Sequence, residues 1–293
     1  MNRTGRLFSV WNAVFLLAVI VLVLLVVYPM YSIFQASLIS ADTGGFTWDN
    51  YLSVFTTRFY RRCLWNSIFL SGLATVFSVI IGVPFAFLTT RYRLPHASIL
   101  KTLGTLPLIL PTFIGAEAWL LLLGRNGILT QLFHSMGLNT PSIYGWQGVV
   151  LVYTLQFFPF VFLMVAAAIN SVDRSLEESA RNLGASPWRV FRTVTLPVVT
   201  PAIASGALIV FCMSIENFGV PTIIGNDYKV LAEQAYSEFV SEMGGNPSMA
   251  GALSTVLVMV TLLLTILQKL WVERKNYAMS ALRPPEILPL SPW

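Results

Sequence analysis

Two carboxylates, Glu117 and Glu216, fall inside long apolar stretches of the chain. A charge at membrane depth is costly and usually faces a bundle interior or a watery cavity, so both are candidates for a translocation path. Glu216 stands in Ser214-Ile215-Glu216-Asn217-Phe218-Gly219-Val220-Pro221. Gly219 and Pro221 are expected to break a helix at its outer end beside the charge, with Asn217 as a second polar candidate. Other chemistry is poorly served. The lysines at 101, 229, 269 and 275 follow Leu, Tyr, Gln and Arg, so the chain has no Gly-Lys pair and no phosphate loop of the Gly-x-x-x-x-Gly-Lys-Ser/Thr type. His96 and His134 have no Cys or carboxylate at metal-ligand spacing. No nucleophile is paired with a base, so neither a catalytic residue nor a cofactor site is assigned.

The elements that must hold those carboxylates are long and apolar. Of 293 residues, 56% are hydrophobic and 11% charged, with a mean hydropathy of +0.72. Soluble domains carry roughly 25% charged residues. The composition therefore excludes a water-soluble domain and implies an integral membrane protein. Its net charge of +5 comes from Lys and Arg lying between apolar runs, which is topological bias and not a nucleic-acid surface. Cys63 and Cys212 are too few for a disulfide framework and are read as thiols.

A transmembrane helix needs about 20 mainly apolar residues. Six segments qualify, at about 12–34, 64–90, 101–123, 146–170, 198–220 and 249–271. With the N-terminus inside, the inner connections hold 13 of the 18 Lys and Arg residues and the outer ones 5, which places both termini in the cytoplasm. Arg58, Arg61 and Arg62 then form an interfacial anchor on the outer face. The outer loop at about 222–247 carries Asp227, Glu233, Glu238 and Glu242 against one Lys, a face able to dock a partner or attract a cation.

One cytoplasmic connection, 171–197, is more than a turn. Ser175 to Glu178 fits a capping box, opening a short helix that stops at Gly184, the residue best able to take a left-handed conformation. Ser186-Pro187 restarts a helix, with Ser as N-cap and Pro at N1, over Trp188 to about Thr195. Pro197 marks the start of the fifth span. Within this elbow, Glu178-Ser179-Ala180, three residues, Gly184, nine residues, then Val194-Thr195-Leu196-Pro197 resembles the EAA loop of permease subunits from binding-protein-dependent ABC importers. The family pattern has Ala at 179 and Ile at 194, and every spacing matches.

The resemblance implies an all-α integral membrane fold of six transmembrane helices, with a cytoplasmic coupling helix between spans four and five. It implies that Glu178, Ser179, Ala180, Gly184, Leu196 and Pro197 couple the membrane helices to a cytoplasmic ATP-binding subunit, which would itself hold the ATP. It also implies a periplasmic or extracellular substrate-binding protein and a second permease half or chain in the inner membrane. The organisation expected is an N-terminal span and outer loop over 1–62, a permease core over 63–275 and a proline-rich tail or linker over 276–293. That tail reads as a linker, with this chain either the N-terminal half of a fused permease or one chain of a dimer. Around Glu216 to Gly225 the chain is similar to permeases of the iron(III), polyamine, 2-aminoethylphosphonate and sulfate group, and its overall look most resembles iron(III) permeases. The rival reading is an ion-gradient-driven secondary transporter with Glu117 and Glu216 as ion carriers. It leaves the 178–197 spacing unexplained.

Overall fold

The computed structural model describes residues 10–41, 43–92, 96–139, 142–171, 179–241 and 245–274. Among these residues the structure is helical, with a single isolated bridge between Ile39 and Phe46. Five helices are long and apolar enough to cross a membrane: Asn12–Ser37, Arg58–Arg91, Trp146–Ser171, Trp188–Ile215 and Pro247–Val272. We call these spans one, two, four, five and six.

The third segment differs from expectation. It is a pair of helices, Ala97–Leu108 and Thr112–Ser135, bent by 107° at the break. Its last turn before the break is a 3-10 helix, Leu106–Leu108, around Pro107, and Pro111 follows. A proline lacks the N–H and disfavours helix in the residue before it, so two prolines four apart end one helix and start another. Span two begins at Arg58, six residues earlier than expected, and so takes Arg58, Arg61 and Arg62 into the helix. Span five also begins early, because the second elbow helix does not stop at Pro197. Pro187–Val190 passes through a π-helical turn, Phe191–Thr195, directly into Leu196–Ile215.

That wide turn has a counterpart in span one. Val23–Val27 is also π-helical, with the Tyr28 N–H bonded to the Val23 carbonyl, and Pro29 follows. In span five the Leu196 N–H bonds the Phe191 carbonyl, and Pro197 follows. A proline ring in an α-helix clashes with the carbonyl four residues back. One bond reaching five residues back, made by the residue just before the proline, widens the turn and removes that clash.

The chain divides into two compact units, Met1–Leu70 with Leu120–Val149 and Ile215–Thr261, and Ser71–Trp119 with Val150–Ser214 and Leu262–Trp293. In the first unit, Gly251 of span six lies against the backbone of span one, where a Cβ would stand 2.8 Å from the Ile33 carbonyl oxygen. The buried Asn50 amide donates to the Ser37 and Ile39 carbonyls at 2.9 and 3.1 Å. It thereby satisfies groups that a helix end leaves orphaned. The Asn50→Ala variant is expected to lose about 1–3 kcal/mol for the carbonyls left unpaired, read as a lowered thermal unfolding midpoint in detergent. Asn66 donates to the Lys229 carbonyl at 2.8 Å, and the Ser67 hydroxyl accepts from the Leu231 N–H at 2.8 Å. These bonds fix helix Leu231–Val240 against the start of span two.

In the second unit, span four is gripped at Val161. A Cβ on Gly82 of span two would stand 2.9 Å from the Val161 Cβ, and one on Gly206 of span five 2.8 Å from the Val161 Cα. Phe85 sits edge-on to Phe158 and Phe162, with ring centroids 6.0 and 4.8 Å apart. Without water to drive helices together, close backbone approach at small residues is a main source of helix association in a bilayer.

Candidate functional site

The elbow is built by local chain chemistry. Residues 179–182 are helical, and Gly184 has φ +83°. The Ala185 N–H bonds the Ala180 carbonyl at 3.1 Å and the Gly184 N–H bonds the Arg181 carbonyl at 2.8 Å. This paired closure is the Schellman motif, and it needs a left-handed residue at the position of Gly184. Among the described residues a Cβ there would meet nothing within 4 Å, so the glycine serves conformation. Two residues on, the Ser186 hydroxyl accepts from the Arg189 N–H at 3.4 Å, with Pro187 the first helical residue. Glu178, with the rest of the expected capping box from Ser175, lies outside the described residues.

Two apolar side chains crown the elbow. Leu183 is 89% exposed and Trp188 69% exposed. Leu183 stands in the turn and Trp188 in the second elbow helix. Behind them Trp188 stacks on Phe191 at 5.4 Å, and Phe191 packs edge-on to Phe87 of span two at 5.1 Å. Three rings therefore join the second elbow helix to span two, and the continuous helix joins it to span five. Sequence reading missed Phe87, Trp188 and Phe191 as a set, because nothing in their spacing shows that they meet. Leu196 and Pro197 are half-buried at the joint of the wide turn and span five.

Glu216 and Asn217 lie in a break, not in a helix. Span five ends at Ile215, and a new helix, Gly219–Ile224, follows. Gly219 and Pro221 therefore open the next helix and do not end the last. Pro221 is at the third helical position, where its missing N–H costs nothing. Asn217 starts that helix, its side-chain oxygen accepting from the Val220 N–H at 3.1 Å. Glu216 is exposed and lines a largely apolar cavity of about 660 Å³, together with Ser32 and Ala36 of span one, Tyr236, and Gly251 and Ser254 of span six. Phe218 stacks on Tyr236 at 4.4 Å beside it. Glu117 is exposed on the second arm of the bent pair, in Thr112–Leu123. At the break itself, the Gln156 amide of span four donates to the Leu110 carbonyl at 3.2 Å.

The acidic outer loop is less open than its charge suggests. Glu233 is buried and pairs with Lys229 at 2.6 Å, while Glu238 accepts from the Tyr60 hydroxyl at 2.9 Å. The Glu233 pair closes within the loop, and Glu238 ties the loop to the start of span two.

Residues 4–276 match the model of the family described as binding-protein-dependent transport system inner membrane component. The chain belongs to this family of inner-membrane permeases. It is 30% identical over 265 residues to the ferric transport system permease protein FbpB of Actinobacillus pleuropneumoniae, covering 89% of this chain and 38% of that protein. It is 32% identical over 212 residues to the molybdenum transport system permease protein ModB of Escherichia coli strain K12, covering 69% of this chain and 91% of that protein. The permease spans about two fifths of the length of the ferric relatives it matches. A crystal structure of a bacterial alginate ABC transporter, in complex with an alginate pentasaccharide-bound periplasmic protein, shares its fold. The TM-score is 0.75 and the identity 20%, over 90% of this chain and 94% of that one.

Proposed function

We propose that this permease is the membrane subunit of an ATP-driven importer, with both termini in the cytoplasm. The elbow at 171–197 is the seat of a cytoplasmic ATP-binding subunit. Glu178, Ser179, Ala180, Gly184, Leu196 and Pro197 couple the membrane helices to that subunit. ATP is held by that other chain, and this one carries no cofactor. A periplasmic or extracellular binding protein delivers the substrate, which passes the broken helices near Glu216 and Asn217, with Glu117 a further polar group on the path. Irregular backbone at membrane depth is tolerated only where it is buried in protein or lines a watery cavity, which favours a path at such breaks. The most apolar window of span one buries none of its residues within the chain, which suits it to lie against a second permease half or chain. Iron(III) is the proposed substrate, supported by the ferric relatives; polyamine, 2-aminoethylphosphonate or another small solute is the alternative.

The observation that carries this reading is the elbow. A motif with the EAA spacing folds into a closed corner that leaves Leu183 and Trp188 exposed on the chain. The test is a Leu183→Cys variant in native membranes, treated with a short thiol-reactive crosslinker and analysed by mass spectrometry. A Walker-type ATPase joined to Cys at 183 is the expected product, and its absence overturns the seat. Vesicles containing the same complex are expected to take up iron(III) from its binding protein only with ATP inside. Uptake that survives ATP depletion and collapses with the proton gradient identifies a secondary carrier instead.

A further inference from the structure

A second pocket, of about 390 Å³, lies in the first unit between the bent pair and the start of span four, lined by Arg125, Thr130, His134, Ser142 and Tyr144. We propose that it is a binding site for a phosphate group. Every polar side chain lining it can donate a hydrogen bond, and no carboxylate lines it among the described residues. Arg125 brings five N–H donors and a fixed positive charge, and the His134 ring offers an N–H in either tautomer. The Arg125 guanidinium stands 5.5 Å over the Tyr144 ring. An aromatic face holds such a cation in place while leaving its N–H groups unspent on an anion. The Ser142 hydroxyl oxygen accepts from the Tyr144 N–H at 3.2 Å, which leaves its own hydrogen to give.

The second observation is Thr130. It is 6% exposed, and its hydroxyl finds no hydrogen-bond partner among the described residues. A buried hydroxyl without a partner is costly and calls for an explanation. A tetrahedral oxyanion in the pocket supplies one, since its several oxygens can accept from donors on more than one wall. The cavity beside Glu216, apolar and carrying a carboxylate, has the opposite character.

The site lies two residues ahead of Trp146, where span four begins, and Tyr and Trp favour the level of lipid headgroups. The phosphate group therefore comes from an anionic phospholipid or from free inorganic phosphate. The full chain, purified with whatever subunits accompany it, separates the two. One arm measures retention of phosphatidylglycerol by native mass spectrometry against diacylglycerol, which has the tails and no phosphate. The other measures binding of radiolabelled inorganic phosphate by equilibrium dialysis. Saturable binding of one phosphate group per chain in either arm is expected, weakened about tenfold in Arg125→Gln by loss of the charged hydrogen bond. Binding in the first arm alone assigns a lipid, and in the second a free anion.

Thr130→Val is the sharper variant, because it keeps the shape and removes only the hydroxyl. A hydroxyl that serves the ligand predicts weaker binding, by about threefold or more, with no loss of thermal stability in the ligand-free chain. A variant that is more stable and binds as well as the wild type would show that Thr130 only packs, and would overturn the site. Equal retention of diacylglycerol, or binding unchanged in Arg125→Gln, would overturn it as well.

Discussion

Replacing Gly184 with Pro is expected to abolish coupled transport while leaving the chain inserted in the membrane. Gly184 sits at φ +83°, and proline is locked near −65°. The substitution also deletes the N–H that bonds the Arg181 carbonyl, so the closure of the corner is lost from both sides. The membrane helices are expected to stay intact, because a Cβ at 184 would meet nothing within 4 Å among the described residues. In proteoliposomes holding the complete transporter, ATP-driven uptake is expected to fall at least about tenfold while ATP hydrolysis continues, since a misaligned corner transmits little of the closure. Gly184→Asn is the control. Asparagine visits the left-handed region at modest cost, so it is expected to keep most of the uptake. Normal transport by the proline variant would remove the elbow from the mechanism.

A larger loss of stability is expected at the crossing of spans two, four and five. A Cβ on Gly206 would stand 2.8 Å from the Val161 Cα, and one on Gly82 3.0 Å from the Phe158 carbonyl oxygen. These neighbours are backbone atoms, so no rotation of a side chain can make room. Overpacking of this kind costs about 1–3 kcal/mol where the structure can shift, and more where it cannot. Gly206→Ala and Gly82→Ala are each expected to lower the thermal midpoint in detergent, and Gly206→Leu to prevent recovery of a monodisperse protein. Gly72, whose added Cβ would meet nothing within 4 Å among the described residues, supplies the comparison: Gly72→Ala is expected to be neutral or mildly stabilising, since it gains helix propensity. Equal midpoints for Gly206→Ala and Gly72→Ala would mean that the helices are not closely apposed at Val161.

What could be read in advance divides along the range of the forces involved. The left-handed Gly184 and the Ser186-Pro187 cap are decided by chemistry within a few residues, so the sequence showed both. Five of the six membrane segments were legible because hydropathy counts apolar residues. It reports length and not direction, and so gives no sign of the bend of 107° beside Pro107 and Pro111. At Glu216 the breakers were identified on the wrong side of the break, because Asn217 starts a new helix with its own side chain. The pairing of Glu233 with Lys229, and of Glu238 with Tyr60, turned an apparently open acidic loop into an internal fastening. The ring relay from Trp188 through Phe191 to Phe87 joins residues about a hundred apart along the chain, and no local pattern announces it.

The wide turn at Phe191–Thr195 also sets the bearing of the elbow. Each residue of an α-helix advances the side-chain direction by about 100°, from 3.6 residues per turn. A turn that holds one extra residue shifts the phase of everything on one side relative to the other by about that angle. A single helical wheel drawn through 188–215 would therefore assign Trp188 and Arg189 to the wrong faces of span five. The Leu196 N–H reaches back to the Phe191 carbonyl, and with that bond one residue of chain becomes the vernier between corner and span. The proline at 197 then does more than mark the joint. It keeps the turn from relaxing to the narrower form, and so keeps the two faces at their offset.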